Sequence, residues 1–323
     1  MTAFLIGRYP IIRRLRYNEE DMLLETSKQL KKKMSQLIAN NVIDSQSKIT
    51  FVNDGSNDST WEIITKLINE DTLFEGINLA HNSGHQHALL AGMLTIKDSA
   101  DMIISMDADL QDDINAIDEM VEQYYLGYEI VYGVRKERKT DTKFKKITAE
   151  FFYKLMNSMG VEIVFNHADY RLMSKRAVDE LSKYEEVNTF LRGIIPTIGL
   201  KHTKVYYDRK ERIAGESKYP LNKMLEFAFE GITSFSIKPI RLITMFGFFL
   251  IVFSVIFIFY SLIRYFQGNI VSGWTSIILS IWLVGGSLML SLGIIGEYIG
   301  KIYLEVKRRP RFIIMEYLKN DDR

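Results

Sequence analysis

Two carboxylates close an apolar run in Ile103-Ile-Ser-Met-Asp107-Ala-Asp109-Leu-Gln111-Asp112-Asp113. Oxygen ligands spaced i, i+2 at the end of a strand suit Mg²⁺ or Mn²⁺, hard cations that in turn bridge the oxygens of a diphosphate. Asp112 and Asp113 read as caps of the helix that follows. A second run, Phe51-Val-Asn-Asp54-Gly-Ser56-Asn-Asp58-Ser-Thr60, has the form strand, glycine turn, helix start. Backbone amides and a carboxylate at such a turn can hold the hydroxyls or base edge of a nucleoside, although the same pattern serves any strand-to-helix turn. Asn82-Ser-Gly84-His-Gln86-His-Ala88 repeats that form. His85 and His87, two apart on a helix, point different ways and do not make a metal pair. Asp169-Tyr-Arg171-Leu and Arg212-Ile-Ala-Gly215-Glu-Ser217-Lys218-Tyr219 add an acid and several anion-binding groups. Arginine clamps a phosphate bidentately, while lysine and serine add a point charge and a hydroxyl donor.

These residues need elements to carry them. Short β-type runs at Ile49–Val52, Gly76–Leu79, Met102–Met106 and Glu129–Tyr132 alternate with amphipathic stretches, which predicts an α/β domain with a mainly parallel sheet. In such a sheet ligands bind beyond the carboxyl ends of the strands, where Asp107 and Asp109 would lie. The first helix is placed by Asn18 as cap, by the acids Glu19, Glu20 and Asp21 behind it, and by Leu23, Leu30, Met34, Leu37 and Ile38 on one face. A second starts near Asp58 and carries Trp61, Ile64, Leu67 and Ile68; Gly127 and the charged 135–146 segment read as loops.

Charge is split along the chain. Of 323 residues, 41 are Lys or Arg and 40 Asp or Glu, a net charge of +1 that gives no reason to expect nucleic acid as a partner. Yet the 59 residues from Leu242 to Gly300 hold only Arg264 and Glu297. Two apolar runs there, 242–266 and 275–299, are each long enough to cross a bilayer, so the tail reads as a transmembrane hairpin. Lys238 and Arg241 before it, and Lys301, Lys307, Arg308, Arg309 and Arg311 after it, put both ends at the cytoplasmic face by the positive-inside bias. There is no cysteine, hence no disulfide, thiolate metal site or thiol nucleophile. No Gly-x-Gly-x-x-Gly or phosphate-loop motif speaks for a dehydrogenase or ATPase.

In order along the chain, Tyr17-Asn-Glu19, Asn53-Asp-Gly-Ser56, Asn82-Ser-Gly84, Asp107-Ala-Asp-Leu-Gln-Asp112, Val131-Tyr-Gly-Val-Arg135, Asp169-Tyr-Arg-Leu172 and Ala214-Gly-Glu-Ser-Lys-Tyr219 precede the two apolar runs. With this set the chain resembles the inverting glycosyltransferases of family 2, in the polyprenyl-phosphate branch related to dolichyl-phosphate mannose synthase and bactoprenol glucosyltransferase. The resemblance implies a GT-A fold that passes one sugar from a nucleotide-sugar, UDP-glucose or UDP-N-acetylglucosamine, to undecaprenyl phosphate at the inner membrane of a bacterium. It implies Asp107, Asp109 and Asp169 as catalytic residues, with Asp107 and Asp109 holding Mg²⁺ or Mn²⁺. Asp169 would orient acceptor or sugar, unless it pairs with Arg171 in a salt bridge. It assigns Tyr17, Glu19, Asp54, Gln86 and Gln111 to the donor, and Arg135, Arg171, Arg212, Ser217 and Lys218 to the acceptor phosphate.

The implied organisation is a cytoplasmic catalytic domain over 1–218, juxtamembrane helices over 219–241, the hairpin over 242–300 and a basic cytoplasmic tail over 301–323, with self-association through the hairpin as an option. One stretch departs from the family pattern. Leu15 stands where the family has proline, and Arg13, Arg14 and Arg16 interrupt the expected first strand. Arginines do not suit a central strand buried on both faces, so residues 1–16 are expected to pair differently or to leave the nucleoside pocket incomplete. The alternative function is then a non-catalytic nucleotide-binding or scaffolding membrane protein of the same fold. A processive polysaccharide synthase would need more spans and a Gln-x-x-Arg-Trp type segment, and the chain has neither.

Overall fold

The computed structural model describes residues 2–4, 11–14, 20–107, 111–136, 167–187, 189–208, 233, 236–267 and 273–320. The chain divides into two compact units, one made of residues 1–150, 162–218 and 309–323, the other of 151–161 and 219–308.

Among the described residues of the first unit nine strands form one sheet: β1 (Thr2–Phe4), β2 (Ile11–Arg14), β3 (Ile49–Asn53), β4 (Phe74–Leu79), β5 (Met102–Asp107), β6 (Ile130–Arg135), β7 (His167–Ser174), β8 (His202–Tyr207) and β9 (Ile314–Leu318), in the order β8-β6-β7-β5-β2-β1-β3-β4-β9. Among the described residues six α-helices accompany them: α1 (Glu20–Ala39), α2 (Thr60–Glu70), α3 (His85–Ile96), α4 (Ala116–Tyr125), α5 (Lys175–Ser182) and α6 (Leu191–Thr197). β3 and β4 are buried along their whole length and β5 over Met102–Met106, which is why these strands read as unbroken apolar runs rather than alternating ones. The core is filled from α1 by Leu23, Leu30, Met34 and Leu37 and from α2 by Ile64 and Ile68, with Ile38, Trp61 and Leu67 packed against it, as the helical periodicity predicts.

The sheet is mixed, which corrects the expectation of a mainly parallel one. β2, β3, β4, β5, β6 and β8 run the same way, but β1, β7 and β9 run against them, so only β2–β5, β3–β4 and β6–β8 are parallel neighbours. A short strand such as β1 carries too few residues for its alternation to reveal its direction. The amino-terminal stretch does enter the centre of the sheet: Ile11–Arg14 pairs with Ile104–Asp107, and Thr2–Phe4 is inserted between β2 and β3. The arginines did not keep β2 out, because ladder hydrogen bonds join main-chain groups that every non-proline residue has.

The carboxyl terminus is a second departure. Within the stretch expected as a basic tail, residues 314–318 form a strand that adds antiparallel to the outer edge of β4. Tyr317 donates from its hydroxyl to Glu75 Oε2 at 2.8 Å, Trp61 Nε1 to Glu316 Oε2 at 3.2 Å, Asn320 Nδ2 to the Ile68 carbonyl at 2.9 Å and Arg311 Nη1 to the Tyr184 carbonyl at 2.6 Å.

Among its described residues the second unit has two long helices, α7 (Lys238–Phe266) and α8 (Trp274–Lys307). Many of their large apolar side chains are exposed, among them Phe248, Phe253, Phe259, Leu283, Met289 and Leu290. Such a surface is not stable in water over this length and marks contact with lipid or with another apolar surface. Among the described residues one segment, Leu283–Lys307, is long and apolar enough to cross a membrane, so one candidate span stands where two were expected. Of the expected juxtamembrane helices only Thr233 and residues 236–241 are described, and the charged loop beyond Lys136 lies outside the described residues.

Candidate active site

Because β2 through β6 and β8 are co-directional, the ends of β3 (Asn53), β5 (Asp107) and β6 (Arg135) lie along one side of the sheet, together with the start of the oppositely directed β7. Ser105 faces Arg171 across β5 and β7; continuing that antiparallel register two residues brings Asp107 opposite Asp169, about 5 Å apart at Cα. Asp107 and Asp169 are therefore neighbours although they lie 62 positions apart in the sequence. Ser105 Oγ donates to the Asp169 carbonyl at 2.7 Å and fixes this junction.

Asp107 is half-buried at the tip of β5, while Asp109 lies outside the described residues. Among the described residues no three His, Cys, Asp or Glu side chains gather into a metal cage. The donor chemistry still fits a hard divalent cation, since Mg²⁺ is typically taken by one or two carboxylates together with substrate phosphates. Gln111 and Asp112 follow as buried residues. Asp112 is not the helix cap expected of it: its Oδ1 accepts from the Tyr207 hydroxyl at 2.6 Å and from Arg135 Nη2 at 3.2 Å. Asp113 does close the turn before α4, its Oδ1 accepting from the Asn115 amide at 3.1 Å. The Asp112–Arg135–Tyr207 cluster ties the segment after β5 to the ends of β6 and β8. Burial alone would lower the Arg135 pKa, but the Asp112 carboxylate beside it holds it above the ordinary arginine value. Burial, reinforced by the same carboxylate, pushes the Tyr207 phenol well up.

The turn after β3 is held by its own polar groups. Asp54 is buried and its Oδ1 accepts from the Ser83 amide at 2.7 Å, joining the loop after β3 to the loop after β4. Asn53 Nδ2 donates to Asn78 Oδ1 at 2.8 Å across the same pair of strands. Gly55 has φ of +64°, and a Cβ there would lie 2.5 Å from the His81 carbonyl carbon, so both conformation and space demand glycine.

At β7 the structure departs most from expectation. Arg171, assigned above to the acceptor phosphate, has 0% side-chain exposure and donates from Nη2 to Asp169 Oδ1 at 2.6 Å. Its Nε and Nη1 are buried with no hydrogen-bond partner among the described residues, and burial draws its pKa down against the pull of Asp169. No ligand phosphate reaches a side chain without surface; Arg171 is the buried counter-ion of Asp169. Asp169 itself is only 4% exposed and has two further partners, His85 Nε2 and the Arg192 guanidinium. Gln86, assigned to the donor, accepts at Oε1 from the Leu191 amide at 3.2 Å. His87 Nε2 contacts the Val187 carbonyl at 3.0 Å. The His85–His87 turn thus clasps the 187–191 segment, with the two histidines facing different partners as their spacing predicts.

Arg192 is the residue that sequence reasoning missed. Leu191-Arg-Gly has no motif of its own, and nothing in one sequence says that Arg192 meets Asp169, 23 positions earlier. The single usable signal was a lone arginine between apolar residues. Of the other expected site residues, Tyr17, Glu19, Arg212, Ser217 and Lys218 lie outside the described residues.

Residues 16–182, just over half of the chain, match the family model Glycosyl transferase family 2. The chain belongs to that family. The glycosyltransferase is 52% identical over 94% of its length to the uncharacterized glycosyltransferase YkoT of Bacillus subtilis, of which it covers 90%. It is 41% identical over 84% of its length to the prophage bactoprenol glucosyl transferase homolog of Escherichia coli, covering 89% of that protein. With the bactoprenol glucosyl transferase of Shigella phage SfII it shares 40% identity over 83% of its length and 86% of the relative's. Among solved structures, glucosyl-3-phosphoglycerate synthase from Mycobacterium tuberculosis aligns with 70% of this chain and 79% of its own at a TM-score of 0.43 and 14% identity. Membership of family 2, and not that distant structure, makes the chain an enzyme of the glycosyltransferase class and its mixed sheet a GT-A-like glycosyltransferase fold. The family match begins at residue 16, directly after the arginine-bearing strand β2.

Proposed function

We propose that this glycosyltransferase transfers one sugar, with inversion, from a uridine diphosphate sugar to undecaprenyl phosphate at the cytoplasmic face of a bacterial membrane. What supports the acceptor is the 40% identity with a bactoprenol glucosyl transferase over 83% of the chain. The exposed apolar surface of α7 and α8 would hold the enzyme where such a lipid resides, with both termini on the cytoplasmic side.

A phosphate monoester has a second pKa near 6, so at pH 7 the acceptor is already largely a dianion. One of its oxygens attacks the anomeric carbon; the new carbon–oxygen bond forms as the bond to the nucleoside diphosphate breaks and the electron pair leaves with UDP. No proton has to be removed from the nucleophile, so no strong general base is needed and catalysis reduces to positioning and charge stabilisation. Asp107 and Asp109 would hold Mg²⁺ or Mn²⁺, which when bound neutralises charge on the departing diphosphate. Asp54, Gln86 and Gln111 with Tyr17 and Glu19 would shape the donor pocket, Asp54 and Gln86 through the loops they join. Arg135, Arg212, Ser217 and Lys218 would face the acceptor phosphate.

The test uses membranes carrying the chain, undecaprenyl phosphate, Mg²⁺ or Mn²⁺ and a panel of radiolabelled nucleotide sugars. One donor is expected to label the lipid phase, and Asp109→Ala or a chelator is expected to abolish labelling. Folded protein that labels lipid from no donor would overturn the reading.

A further inference from the structure

We propose, on the basis of the reading above, that Tyr207 and Asp112 are positioning residues that hold the Arg135 guanidinium where it meets a substrate phosphate. Arg135 and Tyr207 are register partners and the last residues of the parallel strands β6 and β8. They stand at the carboxyl ends of those strands, the side of such a sheet on which ligands bind. Asp112 reaches the same point from the segment that follows β5. Exposure separates the three: Tyr207 is buried and the Asp112 side chain keeps 1% of its surface, whereas the Arg135 side chain keeps 24%. Arg135 is the member of the cluster that a ligand can touch, and the other two act through it.

The hydrogen bonds among them close a ring with one possible set of directions. A carboxylate only accepts and a guanidinium only donates. The Tyr207 hydroxyl therefore gives its proton to Asp112 Oδ1 at 2.6 Å and accepts from Arg135 Nε at 3.3 Å. Arg135 Nη2 donates to the same Asp112 oxygen at 3.2 Å. Nε and Nη2 form one edge of the planar guanidinium, so two contacts along that edge stop rotation about the last side-chain bond. The role needs neither an idle donor on Arg135 nor an excess of charge, because the bonds that are made set the plane and place of the group.

Tyr207 is itself held. Its ring meets the Tyr170 ring edge-to-face, with centroids 5.3 Å apart and planes at 75°, and the Tyr170 hydroxyl donates to the Asp113 carbonyl at 3.1 Å. Two tyrosines, from the strands on either side of β6, thus hold the consecutive residues Asp112 and Asp113 of the segment that follows β5. Asp107, at the end of β5, acts on Arg135 electrostatically. The guanidinium therefore lies within electrostatic range of the strand end assigned above to the diphosphate and its cation. An arginine whose plane is already fixed gives up little further freedom when a phosphate docks on it, which is the advantage that Tyr207 and Asp112 supply.

Phosphate is the shared chemistry, and it can come from the lipid acceptor or from the donor. Full-length enzyme in detergent is titrated by calorimetry with farnesyl phosphate in one arm and with UDP plus Mn²⁺ in the other, and a melting curve shows that each variant is folded. Arg135→Gln is expected to weaken at least one probe by about tenfold or more, and the arm affected identifies the source of the phosphate. Tyr207→Phe keeps the ring on Tyr170 and removes only the hydroxyl; it is expected to weaken the same probe by about threefold or more. Asp112→Asn keeps an acceptor oxygen and removes the charge, and is expected to weaken that probe further. The deciding variant is the double one: in the Arg135→Gln background Tyr207→Phe is expected to change nothing, because its effect passes through the guanidinium. A hydroxyl that merely stabilised the fold would act independently of Arg135. Tyr206→Phe, at the exposed neighbouring tyrosine of β8, serves as control and is expected to match wild type. Wild-type affinity in folded Tyr207→Phe, or a Tyr207→Phe loss that persists in full without Arg135, would overturn the positioning role and leave Arg135 at the phosphate. Wild-type affinity for both probes in folded Arg135→Gln would overturn the placement of Arg135 as well. Binding is read without turnover, so a chain that transfers no sugar yet shows the coupled losses would refute the proposed transfer and leave the positioning role standing.

Discussion

Glu75 lies in β4 with its carboxylate buried, accepting from the hydroxyls of Tyr317 at 2.8 Å and Thr50 at 3.3 Å. Burial raises its pKa above the ordinary 4.5, with the Tyr317 hydrogen bond and the lysines Lys319 and Lys48 opposing. A raised folded-state pKa means that the folded protein keeps a proton which the unfolded chain gives up first. The stabilisation is therefore complete below the unfolded value and is lost as pH rises through the folded one. Glu75→Gln keeps an acceptor for Tyr317 and removes the titration. The apparent Tm in detergent is expected to fall more steeply between pH 4.5 and 7.5 for wild type than for Glu75→Gln, and parallel curves would contradict this account. The same contrast governs the two arginines at Asp169. One carboxylate serves both, but Arg171 is entirely buried while the Arg192 side chain keeps 32% of its surface, a distinction the letter R does not carry.

At the scale of elements, β9 does two things that no loop would do. It covers the outer edge of β4, whose unpaired amides and carbonyls would otherwise be a template for association between chains. It also places Tyr317 over the buried Glu75 and Glu316 against the Trp61 indole. Removing residues 309–323 is expected to lower the apparent Tm of the enzyme by about 5 °C or more and to promote aggregation, measured by scanning fluorimetry and light scattering. An unchanged melting curve would show that the strand contributes nothing to stability. The elements that could be read in advance were those with a long, regular pattern: α1 and α2 from their 3.6-residue stripe, and β3, β4, β5 and β6 from short apolar runs between turns. β1, β7 and β9 could not be read so, because each needs a partner strand distant in sequence to give its alternation a direction.

At the scale of the molecule, a charged catalytic unit is joined to helices whose apolar side chains face outward. The chain is expected to pellet with membranes, to resist extraction by high salt and alkaline carbonate, and to be released by detergent; release by salt alone would refute a membrane-embedded helix. The sequence by itself determined the α/β class, the apolar carboxyl-terminal helices, the strand-end carboxylate Asp107 and the family, because each of these is local: a period, a composition, or a motif of a few neighbouring residues. Only the tertiary structure decided that the sheet is mixed, that the last residues close its edge, that Asp112 binds Arg135 and Tyr207 instead of capping a helix, and that Asp169 belongs to Arg171, Arg192 and His85. Those are statements about burial and about which distant side chains share a charge, and both arise only when strands far apart in the chain are laid side by side.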